Sequence, residues 1–303
     1  MKKIAILIPV HNKLGYTKKC IETLDGLITG KDFRNIELFT VVIDDGSVDG
    51  TGEWLRKNAP EVICLEGDGN LWWSGGVNVG ASYVHENQLA DYLLLWNNDI
   101  QPADDYFIEL DNIVPGLSAN SILGSKIYCL DPPDMVWSYG GIFNPHNGSR
   151  YMIGHIKPDS EEFETENSVD WLPGMGTLIP VDAIKKVGLW NEKEFPQYHG
   201  DSDYTYRAKI SGYRLIVHPG LKIWNDNSNS ELLHEGKFAQ LLQMLSDKRS
   251  NLNLSKNLLF YKKYSRSPLA YWPLFMSYFR LFGGFFKWKV LSVFGIKKDQ
   301  LAN

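Results

Sequence analysis

The chain has 303 residues, of which 44% are hydrophobic and 22% are charged, and this composition excludes a disordered or fibrous protein. The formal net charge of −5 hides an asymmetry: from Lys248 onward there are 11 Lys and Arg against one acid, Asp299, which gives +10, whereas the 20 basic and 35 acidic residues of the remainder give −15. Three widely spaced cysteines are too few for a disulfide framework and are typical of a reducing compartment.

The first hundred residues predict alternating strands and helices. The apolar run Ile4 to Ile8 follows two lysines but stops at His11 without a small-residue cleavage site, so we interpret it as a first strand and not as a secretion signal. Alternation of strands and helices with short crossovers predicts an α/β fold, with a mainly parallel, Rossmann-like sheet covered by helices on both faces. The further predicted elements are a helix over 17–28, a strand over 38–43, a helix near 53–57, a strand over 61–65, a Gly-rich segment at 67–80 followed by a helix, and a strand over 92–96.

The rest of the chain changes character twice. Residues 118–198 have short apolar runs broken by Gly, Pro and Asn, which indicates an antiparallel or loop-rich extension that completes a site. Between Phe260 and Phe294 lie 13 of the 39 aromatic residues. The stretch from Leu269 to Phe286 is interrupted by Arg280 and falls short of the roughly 20 apolar residues of a membrane-spanning helix.

Two interpretations of this basic, aromatic tail remain open. Aromatic and basic residues interleaved on helices fit attachment to an anionic membrane surface. The alternative is a helical pair that packs on the catalytic domain or on another subunit. No recognition motif accompanies the charge, so we do not expect nucleic acid as a partner.

Polar clusters follow four of the predicted strands. In an open α/β sheet ligands bind outside the carboxyl ends of the strands, so these clusters are expected to converge on one cleft. Neither a G-x-G-x-x-G sequence after the first strand nor a P-loop is present, so a bound diphosphate would need a divalent cation to neutralise it. Asp99 is a hard oxygen ligand that Mg²⁺ or Mn²⁺ accepts. The four clusters are Pro9-Val10-His11-Asn12, Asp44-Asp45, Gly67 to Asn70, and Asn97-Asn98-Asp99.

These clusters and several later motifs resemble family 2 glycosyltransferases, in the correct order over about residues 3–225. The narrower resemblance is to bacterial rhamnosyltransferase-like members that build surface polysaccharides. It implies a GT-A fold and inverting transfer of a sugar from a nucleoside diphosphate donor. The motifs are Ile8 to Asn12, Val42 to Thr51, Asn70 to Gly80, Leu95 to Asp99, Trp171 to Gly176, Lys186 to Trp190, Asp201 to Arg207 and Gly212-Tyr213.

The resemblance assigns most of the strand-end residues to the donor. Asp44 matches the aspartate that contacts the base or ribose, and Asp99 matches the metal-binding carboxylate of the D-x-D motif, with Mg²⁺ or Mn²⁺ as the implied cofactor. Asn97 replaces the first aspartate of that motif, so a neutral amide is expected there. For the asparagines of the Gly-rich segment, helix capping and close packing are the alternative. The implied donor-binding residues are Pro9, Val10, His11, Asn12, Asp44, Asn70, Asn78, Asn97 and Asn98.

Asp201 matches the presumed catalytic base of the family, and Gly200 stands where the family has a glutamate. Asp203 is expected to have a supporting or helix-terminal role, while Arg207, four residues further on, fits an ion pair with it at helical spacing. Whether Asn225 or Asp226 replaces a family histidine near the metal stays open. The implied acceptor-side residues are Trp171, Gly174 and Asp203, and Trp72-Trp73 and Trp171 are candidates for stacking on sugar rings or for buried packing.

The expected organisation is a GT-A catalytic domain at 1–247, with a nucleotide-binding half at 1–117 and an acceptor-binding half at 118–247, and a helical extension at 248–303. The expected activity is sugar transfer to a hydroxyl of a glycan or lipid-linked acceptor in cell-surface polysaccharide synthesis. We expect a cytoplasmic protein, peripheral at the inner face of the cell membrane, with a second copy of the chain as a further partner. The alternatives are a sugar-nucleotide nucleotidylyltransferase and a non-catalytic glycan- or nucleotide-binding module.

Overall fold

A computed structural model describes residues 1–226 and 238–293. The strands are β1 (Lys2–Val10), β2 (Ile36–Asp44), β3 (Ile63–Glu66), β4 (Tyr92–Leu95), β5 (Ile100–Pro102), β6 (Ser121–Cys129), β7 (Met135–Ser138), β8 (Gly141–Phe143), β9 (Arg150–Met152), β10 (Lys157–Pro158), β11 (Asn167–Ser168), β12 (Thr177–Pro180) and β13 (Arg214–Asn225). The helices are α1 (Leu14–Ile28), α2 (Thr51–Asn58), α3 (Trp72–Glu86), α4 (Tyr106–Ile113), α5 (Ala183–Val187), α6 (Gly200–Ile210), α7 (Phe238–Met244), α8 (Leu254–Tyr264) and α9 (Tyr271–Val293).

An 11-stranded sheet organises the N-terminal part. Its principal strand order is β10-β7-β6-β12-β4-β1-β2-β3, and β3, β2, β1 and β4 run parallel. Strand β1 is buried along most of its length, which explains its continuous apolar run. Its even-numbered residues pack with α1, α2 and α4 on one face, and its odd-numbered residues pack with α3, α5 and α6 on the other. The predicted α/β fold with helices on both faces is confirmed.

The parallel order stops at β12, which lies antiparallel to β4 with Thr177 opposite Leu95. Because β12 begins where β4 ends, the loop before β12 lies at the carboxyl edge of the parallel strands. Strand β13 reaches the same edge from the other side, since its last residue, Asn225, pairs with Ile100 of β5. These antiparallel strands therefore bring later parts of the chain to the edge where the strand-end clusters lie.

The Gly-rich segment differs from its prediction, because helix α3 already begins at Trp72 and contains three of its glycines. The helix lies so close to the sheet that a Cβ at Gly76 would be 2.9 Å from Pro9 Cβ, and one at Gly80 would be 2.8 Å from Ile43 Cδ1. Close backbone approach, and not a turn, explains why residues with poor helix propensity occur here.

Gly76→Ala is expected to destabilise the protein by about 1–3 kcal/mol, because the added methyl group overlaps Pro9, whose ring cannot rotate away. Gly26→Ala is the matched control: Gly26 also lies in a helix, but nothing stands within 4 Å of the added Cβ. The control should gain up to about 1 kcal/mol from helix propensity. Urea unfolding of both variants measures the difference, and equal stability gains would show that α3 does not depend on this close approach.

The described residues form two compact units. Of these residues, one unit contains 1–142 and 151–226, and the other contains 143–150 and 238–293. The predicted boundary after residue 247 falls inside the second unit, which already contains α7. Within the second unit, Tyr261 Oη donates to the Gly148 carbonyl at 2.7 Å and Phe143 packs edge-on against Phe260. None of the helices over 1–226 and 238–293 combines the length and apolar content needed to cross a bilayer.

Candidate active site

The ends of β1 and β2 form a connected group of hydrogen bonds. His11 Nδ1 lies 2.6 Å from the Asp45 carbonyl oxygen, and Asn12 Oδ1 accepts from the Val48 amide at 2.9 Å. Asp44 is buried, and its Oδ1 accepts from the Ser47 amide at 3.1 Å. The predicted donor residues Pro9 to Asn12 and Asp44 thus lie together at the carboxyl edge of the sheet.

Asp45 holds the next loop in place, a role that the sequence analysis did not assign to it. Its Oδ1 accepts from the Gly69 amide at 2.7 Å and its Oδ2 accepts from the Trp72 amide at 3.1 Å. The second bond satisfies an N–H group at the start of α3, as a capping side chain does. The two adjacent aspartates therefore have different contacts. Asp44 accepts a hydrogen bond within the turn after β2, whereas Asp45 positions the loop that carries Asn70, which is exposed.

The Asn97-Asn98-Asp99 cluster follows β4 at the same edge. Asn97 Oδ1 accepts from Trp73 Nε1 at 3.1 Å, and Asn98 Nδ2 donates to Thr17 Oγ1 at 3.1 Å. Both amides are thereby anchored to helices on opposite faces of the sheet. Asp99 differs from them, because its Oδ1 is buried and has no hydrogen-bond partner among the described residues.

Besides Lys13, Asp226 is a charged neighbour of Asp99. Its amide donates to the Asp99 carbonyl oxygen at 3.3 Å, and its Oδ2 accepts from Tyr16 Oη at 3.1 Å. Both aspartates line a cavity of about 200 Å³. Burial raises the pKa of Asp99 above its ordinary value. The positive charge of Lys13 opposes this rise, and the negative charge of Asp226 adds to it.

A divalent cation fits beside the buried Asp99 oxygen, which has no hydrogen-bond partner among the described residues. A buried carboxylate oxygen without a partner is costly, and a cation beside it would remove that cost. Carboxylate oxygens are the ligands that Mg²⁺ and Mn²⁺ accept, and such ions keep water and phosphate oxygens in their other positions. A group of three or more His, Cys, Asp or Glu side chains that could enclose a metal does not occur over 1–226 and 238–293.

Asp201 lies in the first turn of α6, where the unpaired N–H groups of a helix favour a negative charge. Its Oδ2 accepts from the Gly174 amide at 3.1 Å and its Oδ1 from the Ser202 amide at 2.7 Å. The side chain is partly exposed. Gly200, where the resemblance expects glutamate, lies so close to α3 that a Cβ would be 2.1 Å from Ser74 Oγ, so a side chain does not fit at this position.

Gly174 connects Asp201 to the end of β4. A Cβ at Gly174 would be 2.2 Å from Trp73 Cζ2, so the loop before β12 lies directly against the Trp73 ring. The same ring donates through Nε1 to Asn97, two residues before Asp99. In addition, the Gly176 amide donates to the Leu95 carbonyl at 2.8 Å. These contacts place Asp201 and the Asn97-to-Asp99 cluster at one edge of the sheet.

Both the oxygen and the nitrogen of the Asn78 side-chain amide form hydrogen bonds within the protein. Its Oδ1 accepts from the Trp190 amide at 2.8 Å, and its Nδ2 donates to the Trp190 carbonyl at 2.9 Å and to Glu192 Oε2 at 2.8 Å. The structure thus shows close packing of α3 against the segment that precedes α6, which is the alternative that the sequence analysis left open for this residue. Contact of Asn78 or Asn70 with a donor stays a prediction.

Two predicted acceptor-side residues are buried. Asp203 is fully buried, and its Oδ2 accepts from Arg207 Nε at 2.9 Å, which confirms the predicted ion pair. An acceptor cannot contact Asp203 in this conformation, so its role is to hold Arg207, which also donates to the Val187 and Leu189 carbonyls. Trp171 is 8% exposed and packs so closely on Gly141 that a Cβ there would be 1.9 Å from its ring. Buried packing is the role that the structure shows for Trp171.

The sequence and the GT-A-like α/β fold are similar to those of known glycosyltransferases. Residues 5–117 match the family model described as Glycosyl transferase family 2. The chain is 29% identical over 193 residues to glycosyltransferase GlyA of Streptococcus pneumoniae serotype 4 (strain ATCC BAA-334 / TIGR4), which covers 63% of this chain. The family model thus matches the part of the chain that holds the polar clusters from Pro9 to Asp99.

The solved structures agree on the fold. GalNAc-T7 with UDP, GalNAc and Mn²⁺ superposes with a TM-score of 0.56 at 11% identity, over 75% of this chain and 44% of that one. Staphylococcus aureus TarS 1-349 in complex with UDP-GlcNAc superposes with a TM-score of 0.53 at 14% identity, over 86% of this chain and 71% of that one. The chain spans only 24% of the length of GlyA, so the match extends to part of that protein.

Proposed function

We propose that this chain is a metal-dependent, inverting glycosyltransferase that moves a sugar from a nucleoside diphosphate donor to a hydroxyl of a glycan or lipid-linked acceptor. Surface polysaccharide synthesis in the cytoplasm, in the manner of bacterial rhamnosyltransferase-like enzymes, is the context that we propose. The observation that carries the proposal is the convergence of two carboxylates at one sheet edge. Asp201 is partly exposed, and Asp99 has a buried oxygen that finds no hydrogen-bond partner within residues 1–226 and 238–293.

In the proposed reaction Asp201 acts as the general base. An acceptor hydroxyl is a weak nucleophile until its proton is removed, and a carboxylate within hydrogen-bond reach takes that proton during attack. The amides of Gly174 and Ser202 fix the orientation of Asp201. The hydroxyl oxygen forms a bond to the anomeric carbon as the bond to the diphosphate breaks, so a single displacement inverts that carbon.

Negative charge develops on the diphosphate as it departs. Asp99, with Asp226 beside it, would hold the divalent cation, which when bound supplies charge stabilisation for the leaving group. Asp44 and the residues from Pro9 to Asn12 bind the nucleoside, because they form the polar turns at the ends of the two neighbouring strands β1 and β2. Since GalNAc-T7 and TarS hold uridine nucleotides, UDP is the first nucleotide that we propose to test.

Addition of UDP with Mn²⁺ is expected to raise the midpoint of thermal unfolding, because a ligand that binds only the folded state stabilises it by mass action. UDP with EDTA should give a much smaller rise, and dTDP and GDP in the same experiment report the preferred base. If no nucleoside diphosphate raises the midpoint of thermal unfolding, either with Mn²⁺ or with EDTA, the proposal is contradicted.

Turnover separates the proposed enzyme from its alternatives. A glycosyltransferase releases the nucleoside diphosphate from its donor, slowly to water even without an acceptor. A nucleotidylyltransferase would instead consume a nucleoside triphosphate and a sugar phosphate and release pyrophosphate. A binding module would bind the donor and release nothing. Assays for free nucleoside diphosphate and for pyrophosphate on the same sample distinguish the three.

A further inference from the structure

Helix α9 exposes a ridge of large aromatic side chains. Trp272, Phe275, Phe279 and Phe286 are 62%, 58%, 61% and 53% exposed. At 3.6 residues per turn these four positions fall within an arc of about 60° along the helix. The ring centroids are 5.7 Å apart for Trp272 and Phe275 and 6.3 Å apart for Phe275 and Phe279, while the Phe286 centroid lies 6.3 Å from that of Phe238 in α7. A contiguous exposed apolar surface of this kind marks an interaction site.

The ridge is not the side of α9 that builds the core of its own unit. Leu274 and Phe285 are buried on the opposite side of the helix. On that side Tyr278 Oη donates to the Leu252 carbonyl at 2.9 Å, and Asn257 Nδ2, from α8, donates to Tyr278 Oη at 3.0 Å. The helix therefore already has a partner on one side, and the aromatic ridge faces away from that partner.

Positive charges flank the ridge on both margins. On the helical wheel Arg280 and Lys287 lie beside one margin and Lys289 lies beside the other, and all three are exposed. The preceding α8 ends in Lys262 and Lys263, which are also exposed. The sequence contains no Asp or Glu between Lys248 and Val293. The face that surrounds the aromatic ridge is thus uniformly basic.

This combination identifies the kind of surface that the ridge fits. Two copies of the same basic face would repel each other, which argues against a second chain as the occupant. An anionic bilayer attracts the basic margins, accepts Trp and Phe side chains at the boundary between headgroups and acyl chains, and lets the lysine stems reach the headgroups.

We propose that α9 lies in the plane of an anionic phospholipid bilayer, with Trp272, Phe275, Phe279 and Phe286 inserted at the interface. The ridge runs over 14 residues, about 21 Å at 1.5 Å per residue, parallel to the bilayer surface. The proposal does not depend on the proposed catalytic function, because it concerns binding by the second unit alone.

Vesicle flotation of the full chain tests the proposal. The chain should float with phosphatidylcholine vesicles that contain about 30% phosphatidylglycerol, and not with phosphatidylcholine alone. Raising the salt from about 0.1 M to about 1 M should weaken flotation, because it screens the basic margins. Trp272→Ser with Phe275→Ser should reduce partitioning by about tenfold or more, since two apolar side chains no longer enter the interface.

A matched control replaces two exposed apolar residues of the other unit, Ile108 (49% exposed) and Ile210 (59% exposed), with serine, and should float like the parent chain. Circular dichroism and nucleotide binding verify that both double variants are folded. Absence of flotation, equal flotation with neutral and anionic vesicles, or flotation that survives loss of Trp272 and Phe275 would overturn the proposal. A dimer in gel filtration that these substitutions dissociate, without flotation of the parent chain, would also overturn it and identify a second copy as the occupant.

Discussion

Asp201→Asn is expected to lower sugar transfer by about 10²- to 10⁴-fold, the range that loss of a general base costs. Asparagine has nearly the same shape as aspartate, and its side-chain oxygen can still accept from the Gly174 amide. The loop before β12 should therefore keep its position, and the affinity for UDP should stay within about twofold of the parent value. Released nucleotide and calorimetric UDP binding measure the two effects separately.

Asp182→Asn provides the control for this substitution. Asp182 also lies at the start of a helix, α5, but its side chain pairs with the exposed Lys185, at 2.9 Å. Transfer by this variant should equal that of the parent chain, because exposed ion pairs contribute little to stability. Parental activity in Asp201→Asn would remove this carboxylate from the reaction, whereas loss of UDP affinity together with activity would assign it a role in donor binding.

Asp99→Asn should abolish the dependence of UDP affinity on Mn²⁺. Asp99 would hold the cation, which when bound would offset both the diphosphate charge and the cost of the buried Asp99 oxygen. We expect UDP binding in the presence of Mn²⁺ to weaken by about 10²-fold or more. In EDTA, by contrast, parent and variant should bind UDP about equally. Titration calorimetry under the two conditions provides this comparison.

Asp104→Asn is the matched control, because Asp104 lies a few residues further along the chain and is exposed. Its UDP affinity should respond to Mn²⁺ as that of the parent does. An unchanged Mn²⁺ response in Asp99→Asn would refute the metal assignment. If Asp99→Asn raises the free energy of unfolding but keeps its Mn²⁺ response, the buried Asp99 oxygen destabilises the fold and no cation offsets that cost.

The strands and the positions of the first four polar clusters could be predicted because both are local properties. A strand covered on both faces must be apolar throughout, and Ile4 to Ile8 meets that condition. The parallel arrangement then places the strand ends together. The ion pair between Asp203 and Arg207 was predictable for the same reason, since residues four apart on a helix are neighbours.

Features that depend on distant contacts could not be predicted from local patterns. Glycines at 76 and 80 suggested a loop, because the Pro9 and Ile43 side chains that exclude a larger residue come from other elements. Asp44 and Asp45 are indistinguishable in sequence, and only the fold shows that Asp45 binds the amides of Gly69 and Trp72. The antiparallel entry of β12 beside β4, which carries Gly174 to Asp201, is likewise a property of the assembled sheet.

A crystal structure of the chain with UDP and Mn²⁺, with the metal located by its anomalous scattering, tests the convergence of Asp44, Asp99 and Asp201 on one ligand. The account predicts an Mn²⁺ peak bonded to an Asp99 carboxylate oxygen, the nucleoside against Asp44, and the diphosphate ending on the side where Asp201 lies. An Mn²⁺ peak elsewhere, or a nucleotide whose diphosphate points away from Asp201, would contradict it.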